Sequence, residues 1–287
     1  MNLQWYPGHM AKTRRLIEEN VKLIDIVVEI MDARVPVSSR NPDFDVFFST
    51  KPRIALLNKT DLADAAATEK WVAWYKKRGI EVICVNALAG KGTEKIPQAA
   101  RLLLKDKIEK NAERGLTKSI KMMVVGIPNV GKSSFINRLC KKAAAKTGDR
   151  PGVTKGKQWL RLREGIEILD TPGILWPKFE DERVGMHLAF IGSIRDEIMD
   201  TETLCCHLLE SLKLRYADKL CARYKLDGID EEDTGYDILQ KISKKRGFVI
   251  SGGELDTERG ARVVLDEFRS ATIGQITLEL PEDVEGE

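Results

Sequence analysis

The octet at 126–133, GIPNVGKS, limits what this chain can fold into more than any other stretch. It fits G-x-x-x-x-G-K-[ST] and stands between an apolar run, KMMVVG at 121–126, and a helical stretch beginning SSFINRLCKK. A strand that curls through glycines into a helix N-terminus turns consecutive backbone N–H groups inward. The helix dipole adds positive potential at the same point, which suits phosphate oxygens. On this spacing Asn129, Val130, Gly131, Lys132, Ser133 and Ser134 line the phosphates. Lys132 reaches the β- and γ-phosphates as a catalytic group, and the Ser133 hydroxyl ligates Mg²⁺.

Such a loop needs a sheet around it. Runs at 23–31 (LIDIVVEIM), 53–57 (RIALL), 81–85 (EVICV) and 166–170 (IEILD) read as buried strands, and 158–163 (QWLRLR) alternates as an edge strand does. Helical stretches at 65–78 and 96–114 lie between them, so the expected class is α/β, a mostly parallel sheet with helices on both faces. After about Trp176 the strand signals fade, and 181–199, 202–226, 234–246 and 256–272 read as helices. In the second of these, Leu204, Leu208, Leu212, Tyr216, Leu220 and Tyr224 recur every fourth residue. The expected division is 1–176 for the α/β domain with an N-terminal arm and 177–287 for a small all-α domain, in keeping with the usual size of domains.

The base is set by a second motif. Asn58, Lys59, Thr60 and Asp61 (NKTD) follow the strand RIALL. An ionised Asp61 offers acceptors alone, which suit the N1–H and N2–H₂ donors of guanine and oppose the N1 acceptor of adenine. Lys59 lays its stem along the base, and Asn58 ties this loop to the phosphate loop. Asn86 and Ala87, after EVICV, stand where a backbone N–H meets guanine O6. Asp170-Thr-Pro-Gly173 ends the strand IEILD and matches D-x-x-G: Asp170 holds Mg²⁺ through water, and the Gly173 N–H senses the γ-phosphate. Thr154, in RPGVT, is the candidate switch threonine that closes over Mg²⁺.

Conventional GTPases carry the phosphate loop first and NKxD later; here the order is reversed, which is circular permutation. The three-dimensional site survives if 88–120 joins the old ends. The loop after DTPG then runs directly into the helical region, so hydrolysis can be felt there. A glutamine that orients water usually follows D-x-x-G; this chain has Ile174, Leu175 and Trp176. Two substitutes are visible: Asn129, which could help to hold a K⁺ ion against the phosphates, and His9 of WYPGHM, which could reach in from the N-terminal arm as a catalytic group.

No apolar stretch approaches the roughly 20 residues of a membrane span, and the N-terminus lacks a signal-peptide run, so a cytoplasmic protein is expected. The five cysteines lack metal spacing and read as reduced, mostly buried thiols. From 138 to 163 nine Lys/Arg face one acid, Asp149. Basic residues also recur from Lys213 to Arg269 on faces expected to be exposed, which is compatible with a polyanionic partner.

The motifs WYPGHMAKTRR, MDARVPVSSRNP, NKTD, GIPNVGKSS, RPGVT and DTPGILWP, in this order, resemble the ribosome biogenesis GTPase A family of the YlqF type, and GGELDTERGARVVLDEFRSATIGQITLE is similar to that family's ending. The resemblance covers essentially the whole chain. It implies a bacterial factor that binds GTP and GDP, docks on a late precursor of the large ribosomal subunit, contacts its rRNA through the helical region, hydrolyses GTP slowly alone and faster on the particle, and leaves. It also implies a monomer off the ribosome and a hydrophobic residue in place of the glutamine, which Ile174 matches. A regulatory GTPase acting on a protein effector is the alternative; the basic surfaces and the lack of lipidation motifs count against it.

Overall fold

The computed structural model describes residues 15–285 apart from 16, 145–158, 163–164, 172, 174, 177–178, 180 and 195–199. Six strands form one sheet: β1 (Ile26–Asp32), β2 (Arg53–Asn58), β3 (Glu81–Cys84), β4 (Ile120–Val125), β5 (Trp159–Leu162) and β6 (Ile166–Asp170), in the order β3-β2-β1-β4-β6-β5. All neighbours pair in parallel except β5, which runs antiparallel along β6 at the edge. The alternating pattern QWLRLR suits an edge, where one face is partly wet.

The central strands are apolar on both sides because both sides are covered. Along β1, Ile26, Val28 and Ile30 enter one core, whereas Val27 and Met31 enter cores on the opposite face. The first face is packed by α3 (Ile96–Leu103) and α5 (Lys132–Ala144), through Ile96, Ala100, Phe135 and Ile136. The second is packed by α1 (Asp43–Phe47), through Phe44, and by α2 (Ala65–Lys77), through Trp71 and Tyr75. The stretch expected to form one helix over 96–114 is two, α3 and α4 (Lys105–Glu113), broken at Leu104. Leu104 is buried but α4 buries nothing, so no packing holds the second half in line with the first.

The C-terminal helices are α6 (Glu182–Phe190), α7 (Thr201–Tyr224), α8 (Gly235–Arg246), α9 (Thr257–Arg269) and α10 (Pro281–Glu285). Asp181, Asp200, Thr234 and Asp256 cap the starts of the first four, each accepting from a backbone N–H two or three residues on. All six residues of the four-residue repeat in α7 are buried. A spacing of four turns about 40° away from the core at each step on a straight helix. The departure from helical angles at Tyr216, φ −135°, divides α7 and lets both halves keep facing inward. The apolar core is continuous from the sheet into α6, α7, α8 and α9.

Candidate functional site

Because five strands are parallel, their carboxyl ends share one edge, and every motif that follows such a strand is delivered there. The chain crosses from β3 back to β4 on the far side of β1, so the sheet has its switch point between β1 and β4, the usual place for a ligand in open α/β sheets. NKTD begins at the last residue of β2, Asn86 follows β3, the phosphate loop follows β4, and Asp170 ends β6.

Asn58 joins the loops. Its Nδ2 donates to Val130 O at 2.7 Å, and its Oδ1 accepts from Ala87 N at 2.9 Å, so one buried amide fixes three motifs at once. Gly131 is obligatory beside it: its φ is +97°, and a Cβ there would sit 2.3 Å from Asn58 Nδ2. Lys59 takes a left-handed conformation, φ 61°, with Nζ donating to Asn129 O at 2.8 Å. Thr60 is held to Val85 O through both its N–H, at 3.4 Å, and its hydroxyl, at 3.2 Å. Asp61 is exposed and points no described hydrogen bond of its carboxylate back into the fold. The Asn86 side chain accepts from Ala89 N at 2.9 Å, shaping the turn after β3.

On the phosphate side, Asn129 is left-handed, φ 60°, and its Nδ2 donates to Gly192 O at 2.7 Å, beyond the end of α6. The hydroxyl-bearing Ser133 and Ser134 are exposed. Lys132 Nζ lies 3.7 Å from Asp170 Oδ1. Burial pulls the Lys132 ammonium below its ordinary range, with Asp170 opposing. Asp170 Oδ1 is itself buried without a hydrogen-bond partner among the described residues, and the Lys132 ammonium stands close enough to be its counter-charge. Gly173 abuts the phosphate loop, where a Cβ would meet Pro128 N at 2.9 Å. His9, Thr154 and Ile174 lie outside the described residues.

Two residues to which the sequence pattern assigned no role complete the edge. Asp32, at the end of β1 and wholly buried, accepts from Arg34 Nε at 2.9 Å and Nη2 at 2.8 Å, and pairs with Lys59 Nζ at 2.9 Å. Burial alone would raise its carboxyl, but Arg34 and Lys59 outweigh it and hold it far below the ordinary carboxylate range. Arg34, also buried, gives Nη1 to Arg269 O at the end of α9 and lies 5.6 Å from the Phe268 ring. Arg269 in turn donates to Phe190 O and Ala189 O at the end of α6. The available signal was a charged D-x-R at the end of a mainly apolar strand, since charges so placed are rarely buried unless paired.

Much of the basic charge expected on exposed faces is engaged within the fold. Arg215 pairs with Asp283, Arg223 with Glu267, Lys241 with Asp233, and Lys245 with Asp227. His187 places Nδ1 3.0 Å from Ser38 Oγ and 2.9 Å from Glu279 Oε1. The five cysteines are free; Cys140 and Cys205 are buried and the other three half-buried.

A family model described as "50S ribosome-binding GTPase" matches residues 121–246, and one described as "RsgA GTPase" matches 13–180. Ribosome biogenesis GTPase A of Bacillus cereus is 45% identical, over 99% of this chain and 95% of its own length. That of Thermotoga maritima is 34% identical, over 98% and 96%. Among solved structures, GDP-bound YlqF of T. maritima superposes with a TM-score of 0.66 at 29% identity, covering 94% of this chain and all of that one. The GNP-bound form gives 0.64 at 31% identity, over 94% and 99%. The phosphate loop between β4 and α5, the base loop that precedes it in the chain, and relatives matched end to end agree: the chain belongs to the ribosome biogenesis GTPase A family, GTPases of ribosome assembly.

Proposed function

We propose that this protein is an assembly GTPase that docks on a late precursor of the large ribosomal subunit and is released when it hydrolyses GTP. The observation that carries the nucleotide half is the Asn58 side chain, which locks the base loop, the phosphate loop and Ala87 into one unit. In this reading Asp61 accepts from guanine N1–H and N2–H₂, the Ala87 region meets O6, and the backbone from Asn129 to Ser134 cradles the phosphates. Lys132 neutralises the β- and γ-phosphates, which add to the counter-charge that Asp170 gives it. Gly173 senses the γ-phosphate against the phosphate loop.

Mg²⁺ fits the donor set: Ser133 is exposed, and Asp170 Oδ1 is a buried carboxylate oxygen that accepts no hydrogen bond among the described residues, its charge faced by Lys132 Nζ at 3.7 Å. Bound there, the ion would offset charge on the β- and γ-oxygens. Thr154 and His9 keep their proposed parts in closing over the ion and orienting water. Asn129, whose amide nitrogen is engaged by Gly192, keeps Oδ1 for K⁺.

The ribosomal half rests on the names of the relatives; we read the helical region, 177–287, as the rRNA-facing unit beside the GTPase unit, 1–176, its contacts falling to individual exposed lysines and arginines, since the region as a whole carries 15 Lys/Arg against 25 Asp/Glu. Among the described residues no helix is long and apolar enough to cross a membrane, and we place the protein in the cytoplasm as a monomer off the particle. The test is GTP turnover in potassium buffer with large subunits, large-subunit precursors, or small subunits. Slow turnover alone and stimulation by the large particles is the expected result. Intact GTP binding with no stimulation by either large particle would overturn the partner.

A further inference from the structure

Asp61 can read guanine only if its loop is held still, and that loop is poorly provided from within. Lys59 sits in the left-handed region, a strained state that persists when surrounding contacts over-determine it. Its outer carbonyls are not satisfied inside the α/β part. They are taken by an extended segment at 275–279, more than 200 residues later in the chain. Gln275 Nε2 donates to Asp61 O at 3.1 Å, and Ile276 N donates to Leu62 O at 3.1 Å. Asp64 N donates to Thr277 Oγ1 at 3.1 Å, closing a short ladder along the loop. Leu278 N reaches Arg34 O at 2.8 Å, and Trp71 Nε1 reaches Glu279 O at 2.9 Å, so the segment is fastened at its other end as well.

The same segment is bound to α7. Lys219 Nζ donates to Gln275 O, and Tyr216 Oη donates to Thr277 O at 3.0 Å while accepting from Thr277 N at 3.2 Å. Ile276 and Thr277 are buried, whereas the Gln275 side chain is exposed and contributes nothing to the core. We infer that segment 275–279 holds the base loop in its guanine-reading form, with Gln275 a positioning residue for Asp61, so that guanine affinity depends on the C-terminal region. This rests on the nucleotide site proposed above. Anything that shifts α7 would then shift base affinity, because one segment is hydrogen-bonded to both.

The test compares Gln275→Ala and Gln275→Glu, the second keeping the shape without the donor, with the unaltered full-length protein. Dissociation constants are measured for GDP and for inosine diphosphate, which lacks the 2-amino group that Asp61 accepts from. Loss of one hydrogen bond predicts GDP binding weaker by roughly two- to tenfold in both variants. Inosine diphosphate should weaken less, so the ratio between the two ligands shrinks. KM for GTP rises with kcat at saturation held, and the unliganded melting temperature stays within about one degree, since Gln275 is exposed. Unchanged GDP affinity, or equal weakening of both diphosphates, would overturn the inference. The underlying site fails separately, and the inference with it, if the unaltered protein prefers neither GDP over ADP nor GDP over inosine diphosphate.

Discussion

Asp32 binds Arg34, which grips the end of α9, and Lys59, which holds the phosphate loop, so a single carboxylate carries contacts on both sides. Both Asp32 and Arg34 are buried, and removing one partner of a buried pair strands the other charge. Asp32→Asn should therefore cost about 3–5 kcal/mol in denaturant unfolding. The sign with pH follows from the depressed carboxyl. Its contribution is fully present above the ordinary carboxylate value, about 3.9, and fades as pH falls through the lower folded-state value. Acid unfolding of Asp32→Asn should accordingly lack that component. Asp61→Asn tests the base: it should weaken GTP by a factor of a hundred or so and bring xanthosine triphosphate, whose ring offers a carbonyl where guanine has its amine, into preference. Retention of normal GTP preference in a competition assay would sink the base assignment.

At the scale of elements, glycines mark where two segments meet too closely for a side chain. Gly235 opens α8, and a Cβ there would lie 2.1 Å from Cys206 O, in the second turn of α7. A backbone oxygen cannot rotate away, so Gly235→Ala should push α7 and α8 apart and lower stability by about 1–3 kcal/mol, read as a lower melting temperature with GDP affinity retained. Gly131→Ala is the opposite case. It strains a φ of +97° and displaces Asn58, so nucleotide binding should fall at least tenfold by titration while the folded protein persists.

In the whole molecule the charge is better neutralised than its composition suggests, because basic side chains of α7 and α8 find acids in the loops and helices beside them. Phosphate contacts to RNA must then come from the cations left on the outside, such as exposed Lys225 and Lys244. Lys225→Glu with Lys244→Glu should weaken association with the large subunit and flatten the slope of log K against log salt by about 1 per lysine. GTP turnover without particles should stay as it was. An unchanged salt slope would exclude these lysines from the interface.

The strands, most helices and the delivery of NKTD, Asn86, the phosphate loop and DTPG to one sheet edge were legible from periodicity and from the order of motifs. Those features are local: a parallel strand covered on both faces is mainly apolar, and a phosphate loop follows one. The break at Leu104 was not legible, since it depends on α4 having nothing to pack against. Nor were the pairing of Asp32 with Arg34, the neutralisation of the basic faces, or the seating of 275–279 on the base loop. Each joins side chains or backbone groups whose partners are set by how the helical region folds back on the sheet, and no periodicity within either stretch encodes where the other comes to lie.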